Sequence, residues 1–187
     1  MIPPKEGLTS TASSLDLRKY IRDIPDYPKP GILFKDLTPL WQDPAAFQAM
    51  VEQLAVHFRP MQIETIAAIE SRGLILGSAL AYALKTGLVP IRKEGKLPWK
   101  TVKVSYDLEY GKATTEIHVD AIRPGTRVLI IDDLLATGGT VEGAIKLVKQ
   151  LQGNLVGVGF LVELEFLKGR ERLKPCGTEI FSLIRYA

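Results

Sequence analysis

Two adjacent carboxylates, Asp132 and Asp133, follow four apolar β-formers, Val128-Leu129-Ile130-Ile131, and precede Leu134-Leu135-Ala136-Thr137-Gly138-Gly139-Thr140. A buried strand of this kind carries its last residues to the C-terminal edge of a parallel sheet, where open α/β folds bind ligands. Gly138 and Gly139 can take positive φ and let backbone N–H groups converge on an anion. Thr137 and Thr140 add hydroxyl donors, and the segment runs directly into a helical pattern, whose first N–H groups and dipole favour phosphate. The carboxylates repel such an anion, so they need a donating partner. A vicinal diol is the sensible one: ribose hydroxyls close to a 5′-phosphate satisfy both halves of the motif. A Walker-B-like metal site and a receiver-type acidic cluster are the competing readings of an Asp pair after a strand. No GxxxxGK[ST] stretch is present, which argues against a P-loop ATPase.

Three further segments have chemical potential. Glu70-Ser71-Arg72-Gly73 follows an apolar β-rich stretch and opens a helical one, a second anion-binding geometry in which arginine offers a fork for a pyrophosphate. Arg92-Lys93, Lys96-Leu97-Pro98 and Tyr106-Asp107-Leu108-Glu109-Tyr110-Gly111 form a polar, turn-rich stretch, and a long polar insertion in a compact α/β domain is more often a lid than filler. Pro30-Gly31-Ile32-Leu33-Phe34-Lys35-Asp36 reads as a turn and an edge strand. His57 and His118 lack metal-ligand spacing and read as structural.

The elements that must position these groups are legible from periodicity. Ser13-Ser14 offers an N-cap, and Leu17, Ile21 and Ile24 follow at helical spacing, predicting a short helix over 14–23 that Pro25, Pro28 and Pro30 end. Asp43-Pro44 starts a helix whose apolar face is Phe47, Met50, Leu54 and Phe58. Residues 63–69 read as a buried strand, 73–85 as a helix, 88–91 as a strand, 128–131 as a strand, 141–151 as a helix and 155–162 as a strand. That alternation is the pattern of a parallel α/β sheet. Between them, Val102, Val104 and Tyr106 alternate, as do Thr115, Ile117 and Val119, predicting a hairpin. Residues 164–187 are mixed.

Composition narrows the class. Hydrophobic residues make up 46% and charged ones 24%, as in an ordinary soluble domain. The net charge of +3 does not argue for a nucleic-acid binder but suits a phosphate-rich small molecule if the cations cluster. Cys176 is the one cysteine, so no intrachain disulfide forms, which fits a reducing cytoplasm. No secretion signal is read at the N-terminus, and the longest apolar stretch, 74–84, falls short of the roughly 18 residues that suggest a membrane span.

The block 128–140 resembles the phosphoribosyl pyrophosphate (PRPP) signature of the type I phosphoribosyltransferases. Together with the three other segments, and with Glu163 and Lys168-Gly169-Arg170, the likeness extends over about residues 17–185 and is to the branch that uses adenine. It implies an α/β fold with a central parallel sheet of about five strands flanked by helices, an antiparallel flexible lid at about 93–120, and a small N-terminal hood. Residues 1–36 would form arm, helix and hood, and 37–187 the core. The implied reaction is adenine plus PRPP giving AMP and pyrophosphate, with Mg²⁺ carried on PRPP and no metal site of the protein's own. Ala136, Thr137, Gly138, Gly139 and Thr140 would hold the 5′-phosphate, Asp132 and Asp133 the ribose hydroxyls, and Ser71, Arg72, Lys93 and Lys96 the pyrophosphate. Leu33, Phe34 and Lys35 would read adenine, largely through backbone groups, and Glu109 would be the catalytic acid. A cytoplasmic homodimer without nucleic-acid or membrane partners is implied as well. The family pattern has arginine where Lys35 stands, and Glu94 puts an acid into the basic lid segment. Another purine base, xanthine or hypoxanthine, and a PRPP-sensing regulator on the same fold are the alternatives.

Overall fold

The structure, a computed structural model, describes residues 15–108 and 111–187. The chain divides into two compact units, Met1–Ala49 and Met50–Ala187.

In the first unit, the helix expected over 14–23 is a single 3₁₀ turn, Leu17–Tyr20, whose N-cap Asp16 accepts from the Arg18 N–H. The chain then becomes extended as β1 (Arg22–Pro25), antiparallel to β2 (Leu33–Asp36). Of the three apolar residues that suggested the helix only Leu17 is buried. Strand pairing plus two cross-strand ion pairs, Arg22–Asp36 and Lys35–Asp23 at 2.6 Å, takes the place of an apolar stripe with little to cover it. A short helix not expected from the sequence, α1 (Thr38–Gln42), follows.

The second unit is built on a seven-stranded sheet. Its strands are β3 (Thr65–Ile69), β4 (Gly87–Lys93), β5 (Thr101–Leu108), β6 (Gly111–His118), β7 (Arg127–Leu135), β8 (Asn154–Leu164) and β9 (Glu179–Tyr186), in the order β5-β6-β4-β3-β7-β8-β9. The five strands from β4 to β9 are mutually parallel, as expected. The expected lid strands are not separate from this sheet. β6 pairs antiparallel with the end of β4 through Arg92↔Glu116 and Lys93↔Thr115, and β5 pairs with β6. The mixed C-terminal part supplies a further parallel strand, β9.

Parallel neighbours need crossovers, and helices provide them. Helices α3 (Arg72–Leu84) and α4 (Gly139–Gln150) pack on the two faces, while α2 (Pro44–Phe58) precedes β3. The faces follow from strand alternation. Ala67, Val128, Ile130, Val158 and Phe160 point to one side, into a cluster with Val141, Ala144, Leu147 and Val148 of α4. Ile66 and Ala68 point to the other, where Gly77 of α3 lies against them. On that second side Phe58 of α2 fills the space over Gly159, edge-on to Phe181 at 5.6 Å. His57 is structural, as read: it stacks on Phe181 at 3.6 Å and bonds Glu179 at 2.7 Å.

Along the stretch expected as a flexible lid at about 93–120, Tyr106, Thr115, Glu116 and Ile117 are buried. Tyr106 packs against α4 where Gly143 has no side chain; a Cβ there would lie 2.6 Å from the ring.

Phe58 is fully buried, so Phe58→Ala is expected to cost about 3–5 kcal/mol by transfer and cavity effects together. Urea unfolding followed by circular dichroism measures it.

Candidate active site

Strand β7 does not stop at Ile131. It continues as strand through Asp132 and Asp133 to Leu135, with ladder pairs on either side of Asp133: Asp132 stands opposite Phe160 and Leu134 opposite Val162 of β8. Beside them the end of β3 delivers Glu70, Ser71 and Arg72, the end of β4 delivers Lys93 and Glu94, and the hairpin contributes Tyr106, Thr114 and Thr115. Together these groups line a cavity of about 750 Å³. Asp132 sits against the start of α3, where a Cβ on Gly73 would lie 2.7 Å from its Oδ1. The helix can begin this close to the carboxylate because residue 73 is glycine.

Asp133 is 5% exposed. The Arg72 Nε lies 2.6 Å from its Oδ2, but the pair is not aligned as a hydrogen bond, and Oδ2 has no aligned donor among the described residues. Burial pushes the Asp133 carboxyl up, and the Arg72 charge partly offsets this. Asp132 lies well above its ordinary value, first because of burial and second because of the Asp133 carboxylate beside it. Its Oδ1 accepts from the Asp133 N–H at 2.8 Å. The pair is a strong acceptor array for incoming hydroxyls, held at an electrostatic cost.

The other acids around the cavity are tied off. Glu70 accepts from Arg92 Nε at 2.7 Å and from the Lys93 N–H at 2.8 Å. Burial opposes ionisation of Glu70, but these bonds and charges outweigh it and hold its carboxyl low. Glu116, 2% exposed, accepts from the Lys96 and Leu97 N–H groups at 3.0 Å each and from the Thr101 hydroxyl at 3.1 Å. It pins the turn between β4 and β5.

Past β7 the chain makes the loop Ala136-Thr137-Gly138 and enters α4 at Gly139. Gly138 is the N-cap with φ of 81°, a left-handed conformation suited to glycine, and no side chain caps the helix. A cavity of about 70 Å³ is lined by Asp132 and the residues from Leu134 to Val141. Asp132, Leu134 and Thr140 border both cavities, so the small one opens beside the large one. Glu142 in the first turn of α4 would oppose an anion there, but it pairs with Lys146 and with Arg172, each at 2.7 Å. The remaining N–H groups and dipole at this end favour an anion of phosphate type.

Asp132, Asp133, Ser71, Arg72, Lys93 and Thr140 are thus brought around the larger cavity, and Ala136, Thr137, Gly138 and Gly139 join Thr140 at the smaller one. Lys96 is not among the lining residues; it is exposed on the turn that Glu116 pins. Leu33, Phe34 and Lys35 lie on β2 of the first unit: Leu33 is exposed, Phe34 meets Tyr27 edge-on at 5.2 Å, and Lys35 is buried on Asp23. Glu109 lies outside the described residues. Sequence reasoning missed Thr114 and Tyr106 as wall residues and Glu116 as an organiser. The only signal for Glu116 was an acid facing inward in an otherwise β-patterned stretch.

Comparisons with known proteins agree with this geometry. The phosphoribosyl transferase domain family matches residues 44–183. The adenine phosphoribosyltransferase of Halothermothrix orenii is 52% identical over 171 residues, covering 91% of this chain and 99% of that one. The crystal structure of adenine phosphoribosyltransferase from Thermoanaerobacter pseudethanolicus superposes with a TM-score of 0.88 at 49% identity, covering 91% of this chain and 98% of that one. The enzyme from Giardia lamblia complexed with 9-deazaadenine superposes with a TM-score of 0.89 at 39% identity, covering 95% and 99%.

The strained carboxylate pair has a measurable consequence. Because the folded value of Asp132 lies above its ordinary 3.8, the folded protein holds a proton that the unfolded chain releases. Stability therefore falls as pH rises from about 3.8 through the folded value, and levels off above it. Asp132→Asn removes this loss while keeping an oxygen for the Asp133 N–H. The variant is expected to be more stable than wild type at pH 7.5 by about 0.5–2 kcal/mol, the usual range when an active-site compromise is relieved. Denaturant unfolding followed upward from about pH 4 should show a fall in stability for wild type that is smaller in the variant, where only Asp133 remains raised.

Proposed function

The chain belongs to the phosphoribosyl transferase family, and from that premise we propose the reaction at its site: transfer of the 5-phosphoribosyl group from PRPP to adenine, giving AMP and pyrophosphate. The observation that carries this reading is the continuity of β7, which places two acceptor carboxylates one loop away from an uncapped helix start. A 5′-phosphorylated ribose matches both in that order.

In the proposed mechanism the Ala136 to Thr140 loop binds the 5′-phosphate and Asp132 and Asp133 accept from the ribose hydroxyls. Ser71, Arg72, Lys93 and Lys96 donate to pyrophosphate. The bond between the anomeric carbon and the pyrophosphate oxygen breaks, the sugar takes on oxocarbenium character, and N9 of adenine bonds to the same carbon and loses its proton. The protein's contribution is positioning, stabilisation of the leaving charge and exclusion of water. Leu33, Phe34 and Lys35 read the base, and Glu109 exchanges a proton or hydrogen bond with the purine ring. Two adjacent carboxylates fit an ion that keeps most of its shell on substrate oxygens and water. Mg²⁺ bound to PRPP would supply neutralisation of the pyrophosphate charge. We read the enzyme as a cytoplasmic homodimer acting in purine salvage, by its likeness to the family and its lack of any cysteine pair.

The decisive experiment offers adenine, hypoxanthine, guanine, xanthine and orotate, each with PRPP and Mg²⁺, to the purified protein. Adenine is expected to give the highest kcat/KM; a higher value for another base would overturn the choice of acceptor.

Asp133→Asn is expected to lower kcat/KM for PRPP by roughly 10- to 150-fold, the worth of a charge-assisted hydrogen bond of about 1.5–3 kcal/mol. Steady-state kinetics on the folded variant checks it. Glu109→Ala should reduce single-turnover kcat by about two decades or more, the usual range for general acid–base assistance, with thermal stability nearly unchanged. Glu109→Gln should be milder if the group only donates a hydrogen bond, and as damaging as alanine if a proton is transferred.

A further inference from the structure

A group of side chains behind the phosphate loop has no part in the reaction as described. Glu163, at the end of β8 and opposite Leu135 in register, is 2% exposed. Arg170 lies on the short helix α5 (Gly169–Leu173) and closes on it with two bonds, Nε to Oε1 at 2.9 Å and Nη2 to Oε2 at 2.6 Å. The same guanidinium donates to the Ile180 carbonyl at 2.6 Å and to the Ser182 hydroxyl at 3.2 Å, both on β9. Burial alone would raise the Glu163 carboxyl; the bonds from Arg170 and Ser182, and the charges of Arg170 and Arg185, outweigh it and hold the group ionised.

What this clamp holds in place is the residue just before Arg170. Gly169 meets the phosphate loop backbone to backbone: a Cβ on it would lie 2.1 Å from the Ala136 carbonyl oxygen and 2.9 Å from Leu135 Cδ1. From the other side, a Cβ on Gly138 would lie 3.0 Å from the Gly169 carbonyl oxygen and 3.5 Å from Leu173. The loop Ala136-Thr137-Gly138 has almost no side chain with which to pack, so its shape must come from whatever lies against its backbone. An unsupported loop would lose conformational freedom on binding, at a cost to affinity.

We propose that Glu163 and Arg170 are positioning residues for the 5′-phosphate: anchored to β8 and β9, they press the Gly169 turn against the phosphate loop and fix its curvature before PRPP arrives. The role rests on the phosphoribosyl-transfer reading and deepens it. It predicts an effect on ligands that carry the 5′-phosphate and not on those that occupy only the pyrophosphate side, since that side is built from β3 and β4.

The test compares wild type with Glu163→Gln, Arg170→Lys and Gly169→Ala. Each is assayed for AMP formation and, by calorimetry, for binding of AMP and of pyrophosphate. KM for PRPP and Kd for AMP are expected to rise roughly tenfold or more, as when a charged hydrogen bond is lost. The kcat should stay within about threefold, the mark of lost uniform binding, and Kd for pyrophosphate within about the same factor. Folded variants with unshifted PRPP KM, or with AMP and pyrophosphate weakened equally, overturn the proposal. Where a variant loses its cooperative unfolding transition, Ser182→Ala removes the 3.2 Å arm from Arg170 and the hydroxyl's bond to Glu163 while keeping the bidentate pair; it should shift the AMP-to-pyrophosphate ratio the same way by a smaller factor, and no shift overturns the proposal. Wild-type turnover is the control: without AMP formation the reading of the function fails, whereas turnover with unshifted variants removes only the clamp.

Discussion

Two like charges on neighbouring residues, carried by one strand into a region of low solvent access, set the terms for the rest of this structure. Burial raises the cost of ionising both Asp132 and Asp133, and the Asp133 charge adds to it for Asp132. Removing such charges from water is costly unless partners are close. The arrangement around them meets that cost only in part. Arg72 reaches Asp133 at 2.6 Å without an aligned bond, and the Asp133 N–H serves Asp132. Among the described residues the other acids nearby are paired elsewhere: Glu70 with Arg92, Glu94 with Lys103, Glu116 with backbone N–H groups, Glu142 with Lys146 and Arg172. The two carboxylates are left as the acceptors at the cavity wall, which in the proposed reaction meet ribose hydroxyls.

The sheet makes this imbalance tolerable because it is stiff. β7 is paired on both sides, by β3 and β8, and each neighbour ends in a residue the site or its support uses. β3 leads directly into Glu70 to Arg72, and β8 carries Glu163 one residue before its end. Side-chain alternation sends Val128 and Ile130 into the α4 core, so the same strand anchors the interior and presents the carboxylates. A pre-formed acceptor array of this kind is what differential binding of a charged transition state requires.

Much of this was legible in the residues. The run 128–140 declared its strand, carboxylates and loop because each has a distinct chemical signature in a contiguous stretch, and four of the five parallel strands followed from apolar runs, while β9 lay in a stretch that read as mixed. The helix over 14–23 was misread because Leu17, Ile21 and Ile24 have helical spacing but only Leu17 is buried; pairing with a strand eleven residues on is not visible locally. The lid was read as loosely held because its polarity was counted, while the burial of Glu116 and Tyr106 depends on partners at positions 96, 97 and 143. Long-range partners are the physical content that a one-dimensional pattern omits.

The contact between Tyr106 and Gly143 joins two parts of the molecule that differ in origin and task. One is a hairpin at the sheet edge; the other is the helix whose uncapped start borders the smaller cavity. The ring occupies the space where a methyl group would otherwise stand. Neither position is therefore independent as the sequence diverges. A chain that keeps the ring must keep bare backbone opposite it, and one that acquires a side chain at 143 must reseat the hairpin. Drift at this pair of sites is permitted only in concert, and the trace it leaves among descendants is correlated change between two segments thirty-seven residues apart.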